Sequence, residues 1–344
     1  MLRPACLIRC LLAVAVVLSG LSLASAPAQA ATSAEWSVAP YYNGRTAGPR
    51  DWFDFSLKPG QTFRDIVSIS NLSGQPKTFY VYPTDAYNTP LDGSFALLLR
   101  KDTPKDAGRW IRLGYTKLSV GKNQRIALPF EIDVPANAEP GDHAAGIVVE
   151  DVNPPKAANN GKGVVVQQRV ATRVYIRVAG PLQPALEVTK IAMRTHKSQL
   201  APWGQGASAQ VGFIVKNTGN VRLTSTAQLT MKGLLGRTLK TFKVHQLPEL
   251  LPGGTVAITE QWNGLPWLNR VSAQVHVVSL DKSVDITRSK TFWLGPWWII
   301  PVIVGILLLF LGWRWWRRRR RNRAENNPIQ PSAPNPEPVS TVTS

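Results

Sequence analysis

Two short motifs in this chain match a pattern for nucleophilic catalysis. Ser119-Val-Gly-Lys122 and Ser279-Leu-Asp-Lys282 both fit Ser-x-x-Lys, in which the serine forms an acyl intermediate. The Ser-Asp-Asn and Lys-Thr-Gly motifs that accompany it in penicillin-recognising enzymes do not occur in the chain. Both matches fall in predicted turns of β segments. We therefore interpret them as chance matches.

The histidines and carboxylates are poorly placed for catalysis or metal binding. The four histidines are scattered without ligand spacing: His143, His196, His245 and His276. Three carboxylate pairs lie in predicted loops or at strand ends: Asp51/Asp54, Asp102/Asp106 and Glu150/Asp151. A glycosidase would need two carboxylates across one cleft, which nothing in the sequence indicates. We expect no enzymatic activity, no metal and no cofactor.

Anion binding is the chemistry that the sequence supports best. Alternation places Arg169, Arg173, Tyr175 and Arg177 on one side of one predicted strand, with arginines about 13 Å apart at fourfold spacing. Guanidinium groups suit carboxylates and phosphates, and a tyrosine can stack on a sugar. We predict that this face binds an anionic polymer. The alternative is a solvated strand face whose charges deter edge pairing.

A second candidate surface is the aromatic-rich stretch at the start of the β region. It contains Trp36, Tyr41, Tyr42 and Trp52, followed by Phe53 and Phe55. If exposed, these rings could stack on glycans. The alternative is that they close a sandwich core.

Short alternating runs separated by turn residues position these side chains. Phe63 to Asn71 alternates and ends in a turn signal, across which Phe79 to Tyr82 is a plausible partner. A strict period-two stripe runs from Ile126 to Val134, with Pro129 indicating an edge strand or bulge. Valines from Val164 to Val178 predict one long strand that carries the basic face.

The recurrence of such runs predicts an all-β fold of two tandem immunoglobulin-like β-sandwiches followed by a single transmembrane helix. Ala179-Gly180-Pro181 breaks the longest run, so we place the domain boundary there. The predicted regions are a signal peptide (1–30), a first sandwich (35–180), a second sandwich (184–292), a transmembrane helix (297–316) and a basic, then Pro-rich and disordered, cytoplasmic tail (317–344).

The two ends of the chain predict export and anchoring. An apolar run after Arg3 and Arg9 ends in Ala28-Gln29-Ala30, which fits a cleaved signal peptide. Both cysteines, Cys6 and Cys10, lie in this leader, so the mature chain has no thiol. Near the other end, an uncharged stretch flanked by tryptophans precedes five arginines, Arg317 to Arg321. The positive-inside rule then predicts a single-pass type I protein of the cell membrane, with its C-terminus cytoplasmic.

Charge favours an anionic partner. The formal net charge is +19, and the predicted exported part keeps 31 basic and 19 acidic residues, a net charge of +12. Wall polymers and lipid headgroups are anionic partners in that compartment, whereas nucleic acid lies on the wrong side of the membrane. Solubility alone is the other explanation.

The first predicted sandwich resembles the WxL-interacting protein family of Gram-positive envelopes. The resemblance rests on the Trp36-Ser-Val-Ala-Pro40 opening, the approach from Phe55 to the Asp65–Asn71 strand, the strand from Pro129 to Pro135, and Pro140-Gly141-Asp142-His143. It covers roughly residues 35–180 and the overall layout, whereas the second sandwich matches only in position and style. The resemblance implies a first domain that binds peptidoglycan and a second one linked to host or partner proteins. The chain has no Trp-x-Leu triplet, so it would be the receiver of that motif.

Together these observations predict a non-catalytic, membrane-anchored envelope protein that binds peptidoglycan or an anionic wall polymer, with another envelope protein as a further candidate partner. The alternative is a scaffold or interaction subunit of an envelope complex that binds a protein partner. A sensor ectodomain would also need such a partner, because the tail is too short for a signalling domain.

Overall fold

The computed structural model of the chain describes residues 35–42, 44, 48–154, 156–157, 164–165, 167–196, 208–266, 269–294 and 299–325. The predicted signal peptide, Trp297, Trp298 and the tail beyond Glu325 lie outside the described residues.

The described residues form an all-β, immunoglobulin-like protein followed by one long helix. The chain divides into two compact units. The first comprises Met1–Tyr87 and Phe95–Gln183, and the second comprises Asn88–Ser94 and Pro184–Ser344. The segment Asn88–Ser94 therefore belongs to the second unit, although a linear division of the sequence near residue 180 assigns it to the first.

The first unit packs two sheets face to face. The strands are β1 (Trp36–Pro40), β2 (Phe53–Leu57), β3 (Thr62–Asn71), β4 (Lys77–Asn88), β5 (Phe95–Leu97), β6 (Ile111–Leu113), β7 (Lys117–Val120), β8 (Arg125–Asp133), β9 (Gly141–Asp151), β10 (Lys156–Ala157), β11 (Val164–Val165) and β12 (Arg169–Val178), with a short helix α1 (Ala107–Trp110) before β6. One sheet has the order β1-β3-β8-β6, and the other has the order β2-β12-β9-β4-β5 with β7 also pairing with β4. The pairing of β2 with β12 is parallel, whereas β1–β3, β3–β8, β6–β8, β9–β12, β4–β9 and β4–β7 are antiparallel.

Alternation builds the core of the first unit. In β2 the side chains of Phe53, Phe55 and Leu57 are buried and those between them are exposed, as period two requires of a half-buried strand. The β8 stripe behaves as predicted, with Leu128, Phe130 and Ile132 buried. Pro129 lies just beyond the residues of β8 that pair with β6, so its missing N–H does not interrupt that pairing.

One predicted pairing and one predicted strand are wrong. Phe79 to Tyr82 lies in β4, which pairs with β7 and β9 in the other sheet, so it is not the partner of β3. The predicted strand from Val164 to Val178 is also two elements: β11 pairs with β10 as a separate ribbon, and β12 begins at Arg169. Alternation predicts which face is buried but contains no information about the neighbouring strand.

The second unit has the same two-layer plan. Its strands are β13 (Leu186–His196), β14 (Ser208–Asn217), β15 (Ser225–Lys232), β16 (Thr238–Thr241), β17 (His245–Gln246), β18 (Thr255–Asn263), β19 (Asn269–Ser279) and β20 (Asp285–Leu294), and a 3-10 turn (Leu234–Gly236) joins β15 to β16. The sheets have the orders β13-β14-β18 and β16-β15-β19-β20, with β17 also pairing with β15. The buried side chains of Phe213, Leu229 and Met231 lie in the core between them.

Both units contain the same buried asparagine corner. Asn71 ends β3 and Asn217 ends β14, and both side chains are fully buried. Each Oδ1 accepts a hydrogen bond from the N–H two residues on, and each Nδ2 donates to the carbonyl four residues on. Each amide also donates to a carbonyl oxygen of a more distant segment, Val120 O at the end of β7 (3.1 Å) or Leu250 O after β17 (2.9 Å). One side chain thus closes the same corner in each sandwich.

The C-terminal helix α2 (Ile299–Glu325) has 27 residues, which makes it about 40 Å long. Its stretch Ile300–Arg319 has a mean hydropathy of 1.4, and none of it is buried. The helix is therefore long and apolar enough to cross a membrane. Its described part begins at Ile299 and continues past residue 316 through the arginine run, because arginine is a good helix former. Arg317 and Arg319 stack on the rings of Trp313 and Trp315, at 4.1 and 4.0 Å.

Candidate ligand-binding site on the first sandwich

The predicted basic face lies on β12, which is paired with β9 along its whole length and with β2 along its second half. Its four side chains do not form one open surface. Arg169 and Arg173 are exposed, Arg177 is partly exposed, and Tyr175 is buried, with 4% of its surface exposed. The face therefore separates into three local environments.

Arg177 is an ion-pairing residue at the end of the face. Its Nε lies 2.6 Å from Oδ1 of Asp142 and its Nη2 lies 2.7 Å from Oδ2, so both oxygens of a buried carboxylate accept from one guanidinium. The hydrogen bond to Asp142 raises the pKa of Arg177 further above its usual value. Since this fork is occupied within the protein, Arg177 is poorly suited to bind an external anion.

An aromatic ring from β5 packs against the exposed Arg173 and covers Tyr175. The Arg173 guanidinium lies 4.5 Å from the ring centroid of Phe95, and Phe95 packs edge-on against Tyr175 at 6.1 Å. Nearby, Leu97 lies against Gly146, where an added Cβ would come within 2.6 Å of the leucine side chain. Because β5 covers the middle of the face, Tyr175 has no surface on which to stack a sugar. The predicted stacking role of Tyr175 is wrong.

Arg169 faces a pocket of about 510 Å³. Three of the lining residues are cationic and one is a carboxylate: Arg100, Lys101 and Arg169, with Glu150. The loop after β5 is tied to β12 by a hydrogen bond from Arg169 Nη1 to the carbonyl oxygen of Leu98 (3.1 Å). We call the group Arg100, Lys101, Glu150 and Arg169 the basic pocket.

The carboxylate of the basic pocket is held by protein donors. Tyr82 Oη donates to Glu150 Oε2 at 3.0 Å, and Arg100 Nε lies 3.7 Å from Glu150 Oε1. Burial raises the pKa of Tyr82, and the hydrogen bond to Glu150 raises it further, outweighing the lowering effect of Arg169. The Tyr82 phenol therefore stays protonated at neutral pH and can keep donating to Glu150. Glu150 therefore helps to position the side chains of the pocket. The pocket keeps a net positive charge, because it contains three cations and one carboxylate.

An aromatic ring beside the basic pocket is flanked by cations. The Arg100 guanidinium lies 4.0 Å from the ring centroid of Tyr80, and Lys117 Nζ lies 5.7 Å from it. Such contacts fix the position of long flexible cations at little cost in solvation. The arrangement offers positive charge next to an aromatic surface, which suits an anionic, sugar-containing chain.

The aromatic residues of the other predicted surface separate by burial. Trp36 is 1% exposed, packs on Phe79 at 5.3 Å, and its Nε1 donates to Val149 O at 3.4 Å. It is a core residue, so its predicted contact with a glycan is wrong. Tyr42 and Trp52 are 41% and 45% exposed, and Tyr41 is partly buried. These three lie outside the basic pocket.

A charged cluster covers Trp36. Lys77 Nζ lies 5.5 Å from its ring centroid and forms ion pairs with Asp151 (2.7 Å) and Glu35 (2.8 Å). Burial lowers the pKa of Lys77, but the hydrogen bonds and charges of the two carboxylates outweigh it, so the pKa lies above its usual value. Lys77 is therefore a structural cation.

The Ser-x-x-Lys matches lie at strand ends. Ser119 is in β7 with its Oγ 2.8 Å from Thr78 Oγ1, and Ser279 Oγ accepts from Val284 N at 2.9 Å. Across the part of the chain that the structure describes, no three His, Cys, Asp or Glu side chains come together as a metal-binding group.

Sequence reasoning found Arg169 but missed Arg100 and Lys101. Those two cations follow β5 in a loop without periodicity, so only the fold places them beside β12. A usable signal was the alternation of Tyr80 and Tyr82, which puts both tyrosines on one face of β4.

Comparison with known proteins assigns no family to the chain. No family model and no curated protein matches the chain. Among solved structures, it is similar to a chaperone–tip adhesin complex of CFA/I fimbriae, at 10% identity and a TM-score of 0.35, over 76% of this chain and 100% of that chain. It is also similar to the CupB2 chaperone of Pseudomonas aeruginosa, at 12% identity and a TM-score of 0.30, over 71% of this chain and 99% of that chain.

Proposed function

We propose that this chain is a membrane-anchored cell-envelope protein whose first sandwich binds an anionic wall polymer without converting it chemically. The observation that carries the proposal is the basic pocket, where three cations and one ordered carboxylate line about 510 Å³ beside Tyr80. Arginine forks bind phosphates and carboxylates at two points, and the Tyr80 ring holds the Arg100 guanidinium in place beside the pocket.

The remaining parts of the chain fit a tether. The helix α2 carries the apolar stretch, and its arginine run would remain in the cytoplasm by the positive-inside rule. The protein would then hold the wall at one end and the membrane at the other. Adhesion of this kind needs no catalytic group, and a long polymer can engage many copies of a weak site.

Sedimentation with purified wall sacculi tests the proposal. The full chain in mild detergent is compared with a triple variant of the pocket, Arg100→Gln, Lys101→Gln and Arg169→Gln. A matched control removes three arginines from the opposite sheet, Arg64→Gln, Arg112→Gln and Arg125→Gln. We expect the pocket variant to lose binding by roughly tenfold or more, which corresponds to one strong contact, whereas the control keeps it.

Two preparations of sacculi separate the polymer sources. Sacculi stripped of phosphodiester polymers retain the peptidoglycan carboxylates, so binding to stripped sacculi assigns peptidoglycan as the ligand. Loss of binding on stripping assigns the phosphodiester polymer instead. Unchanged binding by the pocket variant, or co-sedimentation only when another envelope protein is added, would contradict the proposal. The second outcome would favour a scaffold that binds a protein partner.

A further inference from the structure

The hairpin between β15 and β16 carries two exposed leucines at its tip. Leu235 is 98% exposed and Leu234 is 61% exposed. Leu235 has φ +60° and ψ 20°, the left-handed region that leucine rarely adopts. The tip is closed by a hydrogen bond from Gly233 N to Arg237 O at 2.7 Å. A strained backbone that points a leucine into solvent is a reason to look for what the leucine contacts.

Sheet register places this tip at the end of the second unit where the chain leaves for the helix α2. Lys232, the last residue of β15, is opposite Ser272, and Ser272 is opposite Thr291 of β20. The 3-10 turn begins two residues past Lys232, at the level where β20 ends. From Leu294 to Ile299 the chain takes five steps, at most about 18 Å. The tip therefore lies at the end of the sandwich nearest to the apolar helix.

In the sheet that carries the hairpin, charge at this end is of one sign. The described segments at this level of that sheet are 230–240, 269–274 and 289–294, and they contain basic residues but no Asp or Glu: Lys232, Arg237, Lys240, Arg270 and Lys290. The turn at the opposite end carries Asp281 and Asp285. Trp293 is 68% exposed at the helix end, with Arg270 5.9 Å from its ring centroid. Exposed tryptophan, leucine and basic residues together are typical of a protein surface at a lipid headgroup layer.

We propose that this end of the second sandwich rests on the bilayer, with Leu234 and Leu235 inserted among the headgroups and the basic residues facing anionic lipid. The inference rests on the membrane anchoring of α2 in the proposed function. Once α2 crosses the bilayer, the short link to β20 keeps the tip within reach of the outer leaflet. Insertion of apolar side chains into the headgroup region and attraction of cations to anionic lipid both contribute to the free energy of membrane binding.

Spin labels on the full chain test this contact. Cys6 and Cys10 are replaced by serine, and a single label is attached through Leu235→Cys. The matched control is Leu280→Cys, another exposed leucine of the same unit. Leu280 follows Ser279, which lies about 23 Å along β19 from Ser272, the register partner of Lys232. A third label at Leu307→Cys reports on α2. The chain is reconstituted in vesicles of phosphatidylglycerol and phosphatidylcholine, and accessibility to oxygen and to a water-soluble nickel chelate is measured.

We expect the label at position 235 to gain oxygen accessibility and lose most of its nickel accessibility, as at position 307, while position 280 stays open to nickel. A lipid signal at 307 with an aqueous signal at 235 would overturn the inference and leave the anchoring intact. Aqueous signals at both positions would overturn the inference and the anchoring together. Protection of position 235 from both reagents would show a protein contact, such as a second copy, and would also overturn lipid insertion.

Discussion

Arg177 and Asp142 form a two-point ion pair that ends the basic face of β12. The carboxylate is 6% exposed and the guanidinium side chain 39% exposed, so the pair is accessible to water only from the arginine side. The pair joins β12 to β9, since Arg177 is the register partner of Asp142. This ion pair distinguishes the structural role of Arg177 from the ligand-binding role proposed for Arg169 on the same strand.

Replacing Arg177 should cost stability and spare binding. Arg177→Gln removes both charged donors from a buried carboxylate, and we expect the first unit to lose about 1–3 kcal/mol of unfolding free energy. Chemical denaturation of the full chain, followed by hydrogen exchange in β9 and β12, measures the loss. Wall binding per folded molecule should remain unchanged. A large loss of binding with unchanged stability would show that Arg177 contributes to ligand binding.

Arg169 should behave in the opposite way. Because its side chain is exposed and faces the basic pocket, Arg169→Gln should change stability by less than about 0.5 kcal/mol and weaken wall binding by roughly tenfold. Binding should also fall as sodium chloride rises from 0.1 M to 1 M, since the screening length shrinks from about 10 Å to about 3 Å. Arg64→Gln is the control in both assays. Salt-independent binding would show that the contact is not ionic.

His143 should make the first unit more stable at lower pH. Its Nδ1 lies 2.7 Å from Asp106 Oδ1 and its Nε2 lies 2.9 Å from Glu139 O, so both ring nitrogens face acceptors. Burial lowers the pKa of His143, but Asp106 and Glu139 outweigh it and leave the pKa above 6.5. The stabilisation is therefore complete below pH 6.5 and is lost as the pH rises through the higher folded pKa.

The His143→Gln variant measures that contribution. We expect it to cost about 1–2 kcal/mol near pH 6, for two lost hydrogen bonds, and less near pH 8. Unfolding free energies of both chains across that range give the difference. His276→Gln is the control, because that imidazole is 47% exposed and lies in the second unit. A cost that grows with pH would mean that the neutral imidazole is the form that stabilises the fold.

Sequence pattern predicted the parts of this protein that depend on one segment at a time. The stripe from Ile126 to Ile132 alternates because one face of β8 is buried, and the run after Ile299 is both long and apolar enough to cross a membrane. Both features are local, so periodicity and hydropathy reveal them. The two-sandwich fold follows from repeating such runs.

The site depends on contacts between distant segments, which pattern does not contain. Alternation placed Tyr175 correctly on the same side of β12 as the arginines, but Phe95 arrives from another strand and covers it. Arg100 enters the pocket from a loop, and Asp142 neutralises Arg177 from β9. Trp36 was ambiguous because an aromatic residue at the start of a strand fits a core and a glycan surface equally well.

The paired corners at Asn71 and Asn217 should contribute similar stability to the two units. Each amide is buried and satisfies several backbone groups, so Asn71→Ala and Asn217→Ala should each cost about 2–4 kcal/mol. The exposed Asn153→Ala is the control and should stay within about 0.5 kcal/mol. Hydrogen exchange should rise in β3 and β8 for the first variant, and in β14 and β18 for the second. If either variant raises hydrogen exchange in both units, the effect of each asparagine on stability is not confined to its own unit.

Replacing Leu235 with glycine should stabilise the second unit and weaken its contact with the membrane. Glycine adopts positive φ without the steric penalty that leucine has there, so Leu235→Gly should gain up to about 1 kcal/mol in the second unit. The loss of an exposed side chain removes no core contact that would offset this gain. The control is Leu280→Gly, where φ is not positive, and which should be neutral or destabilising. Denaturation in detergent gives the stability, and the headgroup accessibility of a label at position 234 in vesicles gives the contact. If Leu235→Gly is destabilising in detergent, the tip is held by packing within the protein and not by lipid.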